Sequence, residues 1–287
     1  MSDPLKTPTA VRHDPSFGVG ADASAPSRFR PGPILRKATK AALFPPGVLG
    51  RRRPGDLVIL LYHRVGVGRS EIDLDVAAFE RQVAHLAAAD PPRTLDEALA
   101  PGSTGGVVVT FDDGLGDFHR HVLPVLVRHR VPAVLYQATS LVDGAGPEDR
   151  LTWSQLREAV DTGLVTIGAH THGHTDLSAA TEAEAEDEMR RSKDLVEDRL
   201  GVPCRHFAYP WAVGSAAADR AARRLFDSAA LDAWRTNRRG WVDPHRLGRV
   251  PVLRSDGQVF FRAKVRGMLD TEALAYRALG RGPWGRP

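Results

Sequence analysis

The sequence predicts an α/β fold built on a parallel sheet with crossover helices. Two observations carry this. About seven short apolar runs of strand length alternate with segments of helical period, and strict alternation of the two element types favours βαβ units. In addition, four of the strand-like runs end in unusual polar or aromatic residues, which places a site at one end of the sheet. The length of 287 residues with 42% hydrophobic residues suits one large domain with extensions.

The elements follow in order. DLVILLYH, from residue 56, reads as a buried strand. Residues 76–88 put Val76, Phe79, Val83 and Leu86 on one helical face. GVVVTF is a strand, and DFHRHVLPVLVRH a helix interrupted by Pro124. VPAVLYQAT, LVTIGAH and RHFAYP are strands, with a helix at SQLREAV between the first two. Thr181 and Glu184 form a capping-box signature ahead of a helix that runs to Leu200 and stops at Gly201. SAAADRAARRL is a helix, FDSAALD and RLGRVPVL are strands, and residues 258–278 have a helical pattern.

Residues 1–55 are rich in Pro, Gly, Ser, Ala and Arg, and are expected to be a mostly disordered basic extension. Residues 1–56 hold ten Lys/Arg against four Asp/Glu, within a net charge of +4, so the remainder is slightly acidic and no nucleic-acid partner is expected. The segment 33–53 has the character of a weak membrane-surface contact, although a solvated linker is the simpler expectation. The chain shows no secretory leader and no apolar run long enough to span a membrane, so the expected location is cytoplasmic. The single cysteine, Cys204, rules out an internal disulfide and a cysteine metal cluster, and is read as a small core residue.

The strand ends hold the chemistry. DLVILLY ends in His63, VVVTF in Asp112-Asp113-Gly114, LVTIGA in His170-Thr171-His172-Gly173-His174, and RHFAY runs into Pro210-Trp211. Adjacent carboxylates repel and raise each other's pKa. Either the pair is solvated, or a positive charge lies beside it. Two histidines at i and i+4 with one carboxylate make a three-ligand set for a borderline divalent metal that keeps one position open. Adjacent side chains on an extended segment point to opposite sides. One aspartate is then free to ligate while the other accepts a proton from a water whose pKa the metal lowers. The segment is not HExxH, because position 171 is Thr, so the base comes from elsewhere. His172 is expected not to be a ligand, and His119, His121, His129, His206 and His245 are read as surface or core residues.

TFDDG followed by HTHGH, in that order, resembles the first two motifs of the polysaccharide deacetylases (the NodB-homology domain, carbohydrate esterase family 4). LLYHRV, FAYPWA and RVPVLRSDG resemble a subgroup with bacterial exopolysaccharide N-deacetylases. The resemblance covers roughly 57–265, with 56–280 taken as the catalytic domain. It implies a deformed (β/α)7 barrel and deacetylation of an N-acetylated sugar with one divalent metal ion, zinc first and cobalt, nickel or iron as alternatives. By the same resemblance Asp113, His170 and His174 hold the metal, Asp112 is the general base and His63 the general acid. Tyr209, Pro210 and Trp211 are implied at the substrate, with the backbone N–H at Trp211 an oxyanion donor and its ring a groove wall or lid. Ala208 stands where the commoner motif has an Arg that orients the base, and no late Leu-x-His motif is present; Arg249 and Asp256 are candidates to support the site. An O-acetyl esterase, a small-molecule amide hydrolase, and a non-catalytic glycan- or partner-binding member are the alternative functions.

Overall fold

A computed structural model describes residues 53–66, 68, 70–144, 149–240 and 242–268. The expected extension and the 33–53 contact segment lie almost wholly outside the described residues. Within them, seven parallel strands form a closed barrel in the order β1-β4-β5-β6-β7-β8-β9. These are β1 Leu57–Tyr62, β4 Gly106–Phe111, β5 Ala133–Gln137, β6 Val165–Ala169, β7 His206–Ala208, β8 Ser228–Asp232 and β9 Leu247–Pro251; Arg64–Val65 (β2) and Asp73–Leu74 (β3) pair separately at the rim. The described helices are α1 Val76–Ala89, α2 Leu95–Leu99, α3 Leu123–His129, α4 Trp153–Asp161, α5 Glu182–Leu200, α6 Ala216–Leu225 and α7 Gly257–Val265. The expected (β/α)7 barrel is the one observed. No helix among the described residues is long and apolar enough to cross a membrane.

Period-two alternation sorts each strand. Val58, Leu60, Tyr62, Val107, Val109, Phe111, Leu135, Ile167 and Phe207 face the helices in one large apolar layer. Leu57, Ile59, Val108, Val134, Tyr136, Ala208, Ala230 and Leu247 form a second, smaller cluster inside the barrel. Leu95 and Ala98 of α2 join that inner cluster and plug the barrel at the strands' N-terminal end. This helix was not expected from the hydrophobic pattern; it is nucleated by a capping box between Thr94 and Glu97.

Three local features refine the sequence expectation. Pro124 does not break its helix. Phe118–Val122 form a π-type turn, and Pro124 falls in the first turn of α3, where its missing N–H costs no hydrogen bond. The last helix ends at Val265, ahead of Gly267 at positive φ, and residues 269–278 of the expected helix lie outside the described residues. Finally, among the described residues a single turn at Pro244–Arg246, rather than a full helix, lies between β8 and β9.

The β8–β9 connection has another task, which is to close the barrel. β1 and β9 pair only through Leu60–Val250 and Leu61–Pro251. Below that, Asn237 fills the seam: it exchanges backbone hydrogen bonds with Leu57 (2.8 and 2.9 Å). Its side chain donates to the Gly248 carbonyl at 2.8 Å and accepts from the Gly248 N–H at 2.7 Å. One asparagine thus satisfies backbone groups of two strands that have diverged.

Candidate active site

The parity that builds the inner cluster also aims the polar residues. On β1, His63 continues the inward series Leu57, Ile59; on β4, Asp112 continues Val108; on β6, His170 continues Gly168; on β8, Asp232 continues Ala230; on β9, Arg249 continues Leu247. All five meet at the C-terminal mouth of the barrel.

Asp113, His170 and His174 place one potential ligand atom each within 4.8 Å of one another. The Asp113 Oδ1 lies 3.5 Å from His170 Nε2 and 3.1 Å from His174 Nε2. His170 donates its Nδ1–H to the Ala208 carbonyl at 2.8 Å, which orients the ring and turns Nε2 toward Asp113. Burial alone would raise the Asp113 pKa, but the hydrogen bonds from the two histidines bring it well below the usual carboxylate range. A hard–borderline donor set of one carboxylate and two imidazoles fits a divalent transition metal with a position left for a further ligand.

The loop carrying this set is held from several sides. The His170 N–H donates to the Gln137 carbonyl, the His172 N–H to the Glu188 carbonyl, and the Gly173 N–H to the Glu188 carboxylate at 2.7 Å. Five non-glycine residues here have positive φ: Asp113, Thr171, His174, Trp211 and Ala212. Backbone strain of this kind persists only where surrounding structure over-determines it, and it gathers at functional sites. Gly114, at φ +65°, suits the left-handed turn, and a Cβ there would lie 1.8 Å from Gln137 Oε1 and force that buried side chain to move.

Asp112 has a different environment from its neighbour. It is buried, and Arg249 donates to both of its oxygens, at 2.6 and 2.7 Å. Burial pushes the Asp112 pKa up, but the Arg249 charge overrides it and the net direction is down. His63, half-buried, adds positive potential at Asp112, Asp113 and Asp232. Burial raises Asp232 to about 6 against the pull of Arg249 and His63.

Among the residues expected at the substrate, Trp211 stands at the mouth. Its Nε1–H donates to the His174 carbonyl at 3.2 Å, its ring meets the His174 ring edge-on at 4.8 Å, and it is 62% exposed. Pro210 is buried at the start of the same turn. Tyr209 is placed elsewhere: its ring is 1% exposed and packs on Phe207 at 4.9 Å in the layer between barrel and helices. The parity that points Ala208 inward points Tyr209 outward, so its side chain does not reach the mouth. His172 is turned from the trio, with Nδ1 3.0 Å from Thr139 Oγ1. Asp256 does not support Asp112 directly; it is ion-paired with the buried Lys264. Asp232 and Tyr136 were not expected; counting inward from Leu247 and Ala230 along their strands is the signal that finds Arg249 and Asp232.

Residues 100–226 match the family described as polysaccharide deacetylase. A Bacillus subtilis (strain 168) protein, YxkH, provisionally named a polysaccharide deacetylase, is 26% identical over 166 residues; the match spans 55% of this chain and 57% of that protein. In fold, the chain is similar to the Streptococcus pyogenes deacetylase PplD, solved in complex with acetate (TM-score 0.67, 22% identity, 75% of this chain and 99% of that one). It is also similar to IcaB from Ammonifex degensii (TM-score 0.64, 25% identity, 76% and 100% covered). The matched segment contains TFDDG and HTHGH, which the fold brings to one barrel mouth, and over residues 100–226 the chain is similar to the polysaccharide deacetylase family.

Proposed function

We propose that the protein is a metal-dependent hydrolase that removes the acetyl group from an N-acetylated sugar, with residues 56–280 as the catalytic unit. The observation that carries the reading is the division of labour within Asp112-Asp113. Asp113 faces both histidines, whereas Asp112 is gripped by Arg249 on the barrel interior side. The same two carboxylates in a solvated turn would have no reason to be separated in this way.

Asp113, His170 and His174 would hold a divalent ion, zinc first by donor type, which when bound supplies Lewis-acid polarisation of the acetyl carbonyl and a water of lowered pKa. Asp112 is the general base. Its carboxylate is kept ionised by Arg249, and each oxygen retains a lone pair beyond the one given to the guanidinium. It takes one proton from the attacking water. The Trp211 N–H, at the start of a turn whose own hydrogen bond runs from Val213 to Pro210, is the proposed oxyanion donor. His63 gives a proton to the nitrogen as the C–N bond breaks. Acetic acid, which gives its proton to solvent as acetate, and a free amine leave, and the proton on Asp112 balances the one His63 has lost. Asp232, titrating near 6, lies in the field of His63 and keeps negative charge beside it at neutral pH.

The test combines acetate release from N-acetylglucosamine oligomers with metal content. Wild type is expected to bind about one transition metal per chain and to release acetate, and Asp112→Asn to keep the metal and lose turnover. Turnover that survives Asp112→Asn, or a wild type that takes up no zinc, cobalt, nickel or iron, sinks the reading. Release from O-acetyl esters alone would keep the site and replace the substrate class.

A further inference from the structure

We propose that Tyr136 is a positioning residue for the general base, acting through Arg249, and that Gly168 exists to let it do so. The inference rests on the catalytic reading of Asp112 given above. The Arg249 guanidinium is 1% exposed, and its carbon lies 5.3 Å from the centroid of the Tyr136 ring. In a dry interior a cation over an aromatic face is held more strongly than at a surface. The ring therefore forms a floor for the fork that holds Asp112. A guanidinium is planar, and a flat floor restricts its tilt as well as its position.

The floor is itself located by its strand neighbour. Tyr136 of β5 is in direct register with Gly168 of β6. A Cβ at Gly168 would lie 2.6 and 2.7 Å from two carbons of the Tyr136 ring, and 2.9 Å from the His206 carbonyl. The ring thus lies across the position that any other residue's side chain would fill. Gly168 has ordinary strand geometry, so its missing side chain, rather than backbone freedom, is what the arrangement uses. The order of dependence is Gly168, Tyr136, Arg249, Asp112, crossing the barrel interior from β6 through β5 to β9 and back to the end of β4. Neither Gly168 nor Tyr136 reaches the reacting atoms in this chain of contacts.

The test is a double-mutant cycle with three readouts. Tyr136→Phe retains the ring and is expected to keep kcat within about twofold. Tyr136→Leu removes the face and is expected to lower kcat by about 10- to 100-fold, with KM and metal content unchanged. Gly168→Ala is expected to lower kcat by displacing the ring, and its effect is expected to shrink in the Tyr136→Leu background, where only the contact with the His206 carbonyl remains. Crystal structures of Tyr136→Leu and Gly168→Ala read the Arg249–Asp112 fork without reference to turnover. An intact fork with undiminished kcat in Tyr136→Leu overturns the proposal, as do strictly additive losses or losses confined to KM or metal content. If wild type has no deacetylase activity, the functional reading fails, while fork geometry in the variants still decides whether Tyr136 positions Arg249.

Discussion

Arg249 and Asp112 are 137 residues apart in sequence and form a two-pronged, fully buried ion pair, at 2.6 and 2.7 Å, at the barrel mouth. The pair resolves the electrostatic problem posed by two adjacent carboxylates: one is offset by an arginine and the other by two histidines. In the proposed reading it takes the place of the arginine that the commoner motif carries where this chain has Ala208. The β7 position is taken by a small inward residue, and the guanidinium enters from β9 instead.

Removing this arginine is expected to damage both turnover and stability. In Arg249→Ala the buried Asp112 loses its compensating charge, a change that costs about 3–5 kcal/mol when a buried pair is broken. The base also loses its orientation, and kcat is expected to fall about 100-fold or more. Arg249→Lys keeps the charge but cannot reproduce the fork, so it should recover most of the stability and little of the turnover. Urea midpoints and kcat measured on the same preparations check both parts. Equal recovery of the two in Arg249→Lys would show that charge alone matters.

The two histidines of HTHGH beyond His170 are expected to behave oppositely. His174 faces Asp113 at 3.1 Å, whereas His172 faces Thr139. His174→Ala should lose bound metal and activity together. His172→Ala should retain about one metal per chain. Elemental analysis after dialysis distinguishes them, and metal loss in His172→Ala would show that the loop rearranges when loaded.

Much of this site is legible in the sequence because its markers are local. Asp112, Asp113, His170 and His174 fall in two short motifs at strand ends, and period two decides which of the adjacent aspartates turns inward. Tyr209 was misplaced as a substrate contact because the motif was read as a unit; parity alone puts Tyr209 and Ala208 on opposite sides of β7. The Tyr136 floor is hidden for a different reason. Its role depends on which strands become neighbours across a closed barrel, and no local pattern states that Gly168 and Tyr136 will share a register. The seam-filling Asn237 is equally non-local, since its partners are Leu57 and Gly248.

Asp232 is expected to lower stability at neutral pH. Its pKa is raised from 3.8 to about 6, chiefly by burial. The folded state therefore holds this proton more tightly than the unfolded chain. As pH rises between those two values the unfolded chain ionises first, and stability declines across that window. Asp232→Asn should be more stable than wild type above pH 6, by on the order of 3 kcal/mol. The gain should disappear below pH 3.8. Urea unfolding at pH 4, 5, 6, 7 and 8 measures it, and a gain that does not depend on pH would show that packing, rather than the charge, is responsible.

His63 is expected to show its role through the leaving group. An amine leaving from an acetamide must be protonated as the C–N bond breaks, so loss of a general acid should cost about 10²- to 10⁴-fold on an amide substrate. A nitrophenolate leaves without a proton. For 4-nitrophenyl acetate the same His63→Gln variant should therefore lose only about threefold, since the attack step still has Asp112 and the metal ligands. Wild type and variant compared on both substrates give a ratio that does not depend on protein concentration or folding yield. A structural role for His63 predicts equal losses on the two substrates, because a distorted mouth impairs attack on either carbonyl. A large loss confined to the amide would place the proton on this histidine.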